Sequence, residues 1–213
     1  MGLNTESRAA RKLRAAARHA AGHLPPHLPP ALALTDPDRT PDPIALACAL
    51  PRGWGLIYRH YGNPEAGRIA AELACICHRR GLDLLIAADP VLALQVGAAG
   101  VHWPEARIGD ARRWQGRFRL TTASAHPDRA RGLGLLGPAW PRGIDALLVS
   151  TVFPSTSPSA GRAMGARQFR RLAAQSWGPV YALGGVTAAN ADQVSGAGGL
   201  AAIGGAKALL GSK

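Results

Sequence analysis

Aromatic residues make up only 5% of this 213-residue chain, and methionine occurs twice. Alanine, glycine and arginine are abundant instead, and a core built from so much Ala and Gly implies close packing of helices on strands rather than a large β-sandwich. Acidic residues are also few: 13 Asp and Glu against 25 Lys and Arg leave a net charge of +12. A nucleic-acid surface concentrates such charge on one face, with aromatic rings interleaved. Here Arg112, Arg113, Arg129, Arg131, Arg170 and Arg171 are scattered over expected outer helices, so the reading is a solvated surface that favours small anionic substrates, with no nucleic acid. Cysteine occurs three times, at Cys48, Cys75 and Cys77. The C-x-C pair has no second pair of ligands, which excludes a structural zinc site and points to buried free thiols. The odd count and the lack of a leader-like segment suggest a reducing, cytoplasmic setting. No apolar run nears the roughly 20 residues of a membrane helix.

What remains is 47% apolar residues, enough for one sizeable domain. Residues 1–30 differ from the rest. The stretch 5–22, TESRAARKLRAAARHAAG, reads as a helix with a basic face, and LPPHLPP (24–30) reads as an extended spacer. This extension is expected to pack on the domain, to plug one end of it, or to hang free. From Ala31 to Lys213, eight short apolar runs alternate with amphipathic segments. The runs are 31–35, 55–59, 82–88, 100–103, 118–123, 145–150, 180–185 and 200–205, with helices between them over 64–81, 127–137 and 166–177. Short apolar strands separated by helices predict parallel β/α units, and eight of them in about 180 residues predict a (β/α)₈ TIM barrel. A doubly wound sheet competes, but the first run ends in Thr35-Asp36-Pro37 rather than in a glycine-rich turn.

In such a barrel the residues just after each strand line the active mouth. Runs seven and eight end in Gly184-Gly185 and in Ile203-Gly204-Gly205. Glycines there let backbone N–H groups approach an anion, and a helix start, capped after run seven by Thr187, adds partial positive charge. The pairing reads as a phosphate cradle, with plain tight turns as the alternative. His126, in Ser124-Ala125-His126, is suited to moving protons at the mouth, with a capping or hydrogen-bonded histidine as the alternative. His102 ends run four in surroundings that suggest packing. Arg59 can clamp a carboxylate or phosphate. Ser155 and Ser157 lie in a proline-bounded loop after run six.

Taken in order, TD, YR, GAAGVH, SAH, VFPSTSPS, ALGGVTAAN and AIGGA resemble the thiamine phosphate synthase/TenI family over about residues 31–210. The resemblance implies a site for a phosphorylated thiazole, with Ser124, Gly184, Gly185, Ile203 and Gly204 at matching positions. It is weaker where the synthases handle diphosphate and magnesium. Tyr61 stands at a lysine position, Ala87-Ala88 at the N-D pair of strand three, Arg107 at the aspartate of G-x-H-x-G-Q-x-D, and Pro158 at a second lysine position. An arginine in a ligand's place opposes a hard cation by charge. The pattern is therefore similar to the TenI branch, whose activity is cofactor-free thiazole tautomerisation with a catalytic histidine that maps onto His126. The expectation is an isomerase with no metal site and a small phosphorylated thiazole as its partner. Two alternatives stay open. One is a magnesium-dependent thiamine phosphate synthase, with Asp36 and Asp89 as metal ligands; the other is a non-catalytic sensor of the thiazole phosphate. A homodimer is compatible with either enzyme reading.

Overall fold

The computed structural model describes residues 7–127, 136–157, 160–202 and 204–210. Its centre is a closed barrel of eight parallel strands, each bonded to the next and the last to the first. They are β1 (Ala31–Leu34), β2 (Gly55–Tyr58), β3 (Asp83–Ala87), β4 (Gly100–Trp103), β5 (Leu120–Ala125), β6 (Ala146–Ser150), β7 (Val180–Leu183) and β8 (Gly199–Ala202). All eight overlap the apolar runs seen in the sequence, though β5 continues through Ser124 and Ala125 and β8 starts one residue earlier, at Gly199. The helices are α1 (Arg8–Ala21), α2 (Pro43–Ala49), α3 (Ala66–Arg80), α4 (Pro90–Gln95) and α5 (Gly165–Gln175). The helix expected over 127–137 falls mostly outside the described residues.

Strand alternation sorts the side chains into two layers. Leu32, Leu34, Ile57, Leu85, Leu120, Leu148 and Tyr181 point inward and fill the barrel. Ala33, Leu56, Leu84, Ile86, Val101, Leu147 and Leu200 point outward, under the helices. Because both faces are covered, the strands read as near-continuous apolar runs. On α3 half a turn separates the buried from the open side, so the thiols differ: Cys77 is buried and Cys75 exposed, as is Cys48. The expectation that both C-x-C thiols are buried is corrected by this helical spacing, since residues two apart face different sides. Burial pushes the Cys77 thiol up to about 12.

Three connections are 3₁₀ segments instead of α-helices: Glu105–Trp114, Ala191–Gln193 and Gly204–Leu209. The last two leave the outer face of β7 and β8 thinly covered, and α1 fills that place. Ser7 caps it, with its hydroxyl accepting from Ala10 N. Its buried residues Leu13, Ala16, Ala17 and Ala20 join the outer core with Val180, Ala182 and Leu200. The proline-rich segment then crosses the barrel floor. Leu24 and Leu28 enter the inward cluster, and the Tyr181 hydroxyl donates to the Pro29 carbonyl at 2.6 Å. Since β1 starts at Ala31, this plug closes the end opposite the mouth.

Leu28 is 5% exposed, so Leu28→Ala leaves a cavity in the barrel floor. We expect a loss of about 2–5 kcal/mol in urea or thermal unfolding, with mouth ligands bound as before. An unchanged unfolding midpoint would show that the segment does not seal the barrel.

Candidate active site

At the C-terminal ends of the strands the inward layer turns polar. His102 on β4 is in register with Thr122 on β5, and Ser124 lies two residues on, along the same face. The imidazole spans the pair, with Nδ1 2.9 Å from Thr122 Oγ1 and Nε2 3.0 Å from Ser124 Oγ. Burial, reinforced by the Arg59 charge, pushes its pKa down to about 3. His102 is thus a neutral strut with both ring nitrogens occupied. The hydroxyl of Ser124, a residue matched to the thiazole site, is held by this strut.

Above the strut a cavity of about 780 Å³ opens, lined by residues from every strand but β2 and by the loops that follow β1 to β7. One wall is organised by Asp36, just beyond β1. A tight turn closes over it, with Asp36 N donating to Thr40 Oγ1 and Thr40 N to the Asp36 carbonyl, both at 2.8 Å. Asp36 Oδ2 accepts from Arg39 Nη2 at 2.8 Å and from Arg59 Nη2 at 3.1 Å, while Oδ1 accepts from the backbone N–H groups of Asp38 and Arg39. These bonds, that from the Arg39 side chain foremost, hold the Asp36 carboxyl down at about 2. Arg59 is locked further by Nε donating to the Thr35 carbonyl at 2.7 Å. Arg39 reaches across to Ser157 Oγ at 3.4 Å.

Opposite stands His126, directly after β5. Glu105, the first residue of the 3₁₀ segment after β4, grips it twice. Glu105 Oε1 accepts from His126 N at 3.0 Å, and Oε2 lies 2.8 Å from Nδ1. The Glu105 side chain is 10% exposed and that of His126 46%. A buried carboxylate beside an open imidazole selects the tautomer with the proton on Nδ1, which leaves Nε2 as an acceptor. His126 lines the cavity. Glu105 was not singled out in the sequence, although it stands at the glutamine of G-x-H-x-G-Q-x-D, two residues before Arg107.

Gly184 and Gly185 line the same cavity, with φ of +87° and +64°. A Cβ at Gly185 would collide with the carbonyl oxygens of Pro154 and Phe153, and one at Gly184 would lie 2.8 Å from Thr151 Cγ2. The β7 loop therefore runs against the β6 loop at backbone distance, with Phe153 N donating to the Gly184 carbonyl at 3.0 Å. Ser155 and Ser157 on the β6 loop face the cavity too. The helix start expected after Thr187 is absent. Asn190 instead closes a local turn, Oδ1 accepting from Thr187 N at 2.8 Å and Nδ2 donating to the Gly185 carbonyl at 2.9 Å, and only a three-residue 3₁₀ turn follows. Of the second glycine pair, Ile203 lies outside the described residues and Gly204 opens a 3₁₀ segment.

A barrel with this mouth matches known proteins. The family model described as thiamine monophosphate synthase matches residues 42–206. The chain belongs to that family. It is 38% identical over 135 residues to a thiamine-phosphate synthase of Thiobacillus denitrificans, spanning 61% of this chain and 60% of that relative's length. It is 33% identical over 174 residues to one of Alcanivorax borkumensis, spanning 78% of each. The solved thiamine phosphate pyrophosphorylase of Pyrococcus furiosus superposes with a TM-score of 0.69 at 23% identity, covering 85% of this chain and 92% of that one; this last likeness is one of fold.

Within this enzyme family the divergent positions sit together. Ala88 has φ +58°, a left-handed conformation that costs an alanine about 1–2 kcal/mol. Its N–H donates to the His102 carbonyl at 2.9 Å, and its carbonyl accepts from Arg107 Nη1 at 3.0 Å. Arg107 Nε also pairs with Asp110 at 2.8 Å, and its guanidinium lies 5.2 Å from the centre of the Trp103 ring. Magnesium binds hard oxygen ligands, carboxylates first. Here Asp36 is committed to two arginines, and Asp89 caps α4 by accepting from Leu92 N at 2.9 Å. No cluster of three or more metal-donor side chains occurs among the described residues. Of the described residues that line the cavity, Asp89 alone carries a carboxylate, and a single one is a poor fit for magnesium. No described helix is long and apolar enough to cross a membrane.

The depressed Asp36 carboxyl gives a pH test with a definite sign. Its ionised form is favoured in the folded state, so its stabilisation is complete above the unfolded carboxyl's pKa near 3.8 and lost as pH falls towards 2. Carboxyl-detected NMR should place its midpoint at about 2, and Asp36→Asn should remove that part of the acid dependence. A midpoint near 4 would mean that the two arginines do not hold it.

Proposed function

We propose that the mouth binds a phosphorylated thiazole and that His126 moves a proton on it, a TenI-like thiazole tautomerisation. The observation that carries this reading is the His126–Glu105 pair, a base with its orienting carboxylate, on the same cavity as the Gly184–Gly185 loop. The substrate in this reading is a carboxylated thiazole phosphate with an exocyclic double bond. Its phosphate tail lies along the Gly184–Gly185 backbone, with Ser155 and Ser157 beside it. Nε2 of His126 removes the ring proton next to the carboxylate. The released electron pair enters the ring, the exocyclic double bond shifts inward, and the exocyclic carbon takes a proton from the imidazolium. No electrons are lost or gained, and the ring becomes aromatic. Glu105 holds the imidazole and stabilises its charge between the two transfers, the role of the carboxylate in histidine-based catalysis generally.

A second reading is thiamine phosphate synthesis, joining hydroxymethylpyrimidine diphosphate to thiazole phosphate with release of pyrophosphate. The names of the relatives favour it, and so does Arg59. The donor set around Asp36, Ala88, Asp89 and Arg107 speaks against it, because Asp89 is its one carboxylate not tied to an arginine.

The two are separated by incubating the purified chain with each substrate set, with magnesium or with EDTA. We expect the aromatic thiazole to form at the same rate in both. His126→Ala and His126→Gln should keep thiazole phosphate affinity but lose turnover by about 10²-fold or more; Glu105→Gln should lose less, since Nδ1–H keeps an acceptor. Magnesium-dependent pyrophosphate release would establish the synthase instead. Binding with no turnover of either kind would leave a sensor.

A further inference from the structure

Where the resemblance places two metal-binding carboxylates, this chain carries a backbone carbonyl and a guanidinium in contact with one another, Ala88 and Arg107. Arg107, Arg59 and Arg39 line one cavity. Each is anchored through part of its fork: Arg107 by Asp110 and the Ala88 carbonyl, Arg59 by Asp36 and the Thr35 carbonyl, Arg39 by Asp36 and Ser157. Among the described residues none takes a hydrogen bond from Nη2 of Arg107, Nη1 of Arg59 or Nη1 of Arg39.

We propose that Arg39, Arg59 and Arg107 form a metal-independent oxyanion subsite that takes the second acidic group of the ligand. A divalent ion bridges anionic oxygens through carboxylates; here the chain supplies the positive charge itself, on nitrogens already oriented by their anchors. A guanidinium fork suits a group with two adjacent anionic oxygens, which describes both a carboxylate and a diphosphate. Arg107 is in this view a binding residue and not merely a lost metal ligand. The proposal rests on the reading of the mouth as a thiazole phosphate site for the identity of the ligand, but not for its test.

That test is titration calorimetry of the full chain with oxalate and with inorganic pyrophosphate, each in EDTA and in magnesium. At least one probe should bind in EDTA, with an affinity no better in magnesium. Preference for oxalate identifies a carboxylate partner, and preference for pyrophosphate a diphosphate. Arg107→Ala should weaken binding by about 10-fold, the size of one charge-assisted hydrogen bond, and Arg39→Ala should weaken it also. Arg79→Ala should not, because Arg79 lies in the last turn of α3, at the barrel end opposite the mouth. Circular dichroism checks that each variant folds. Binding that needs magnesium, binding of neither probe, or an unchanged affinity in Arg107→Ala would each overturn the subsite. Because the readout is equilibrium binding, a chain that binds the probes but turns over no thiazole fails only as a tautomerase.

Discussion

Eight short parallel strands closed on themselves leave no free edge and only one open end, and that closure governs the rest of the molecule. Every second side chain of a strand must point into the barrel. Near the floor these are Leu32, Ile57, Leu120 and Tyr181, which pack against Leu24 and Leu28 of the proline-rich segment. Near the mouth they are His102 and Thr122, which can be buried because His102 is satisfied by Thr122 and by the partly exposed Ser124. A polar upper layer on a sealed apolar lower one gives the cavity its rigid floor.

Charge is arranged around that floor rather than simply present in excess. Asp36 draws two arginines to one wall, while Glu105 turns His126 on the other. In both cases a largely buried carboxylate orients a more exposed cationic or basic group, the arrangement that keeps a side chain in place without ligand. The left-handed backbone at Ala88 belongs to the same economy of space, because its carbonyl faces the Arg107 guanidinium.

The same closure explains α1. Two of the usual outer helices have shrunk to 3₁₀ turns, so the outward side chains of β7 and β8 need another cover. The N-terminal helix supplies it with a face of Ala and Leu. Its basic residues lie on the opposite face, which accounts for much of the local charge without a polyanionic partner.

The residues by themselves determined the barrel, because buried parallel strands and their helices write the two periods directly into the chain. They also marked His126 and the Gly184–Gly185 turn, since position just after a strand is enough to place a residue at the mouth. Three things were decided only by tertiary structure. Thr187 looks like a helix cap in sequence, yet Asn190 captures its N–H, and a local side-chain turn wins over a helix. Residues 24–30 read as a spacer, because nothing in a proline-rich stretch reveals that Leu24 and Leu28 meet an open barrel floor. Glu105 and Arg39 carried no strong signal of their own, and Arg107 only that of a lost ligand, for each gains its meaning from a partner 3 to 21 residues away or from another loop. Periodicity is a local property and survives in sequence; the pairing of charges across a mouth depends on where closure brings the loops, and it exists only in the folded chain.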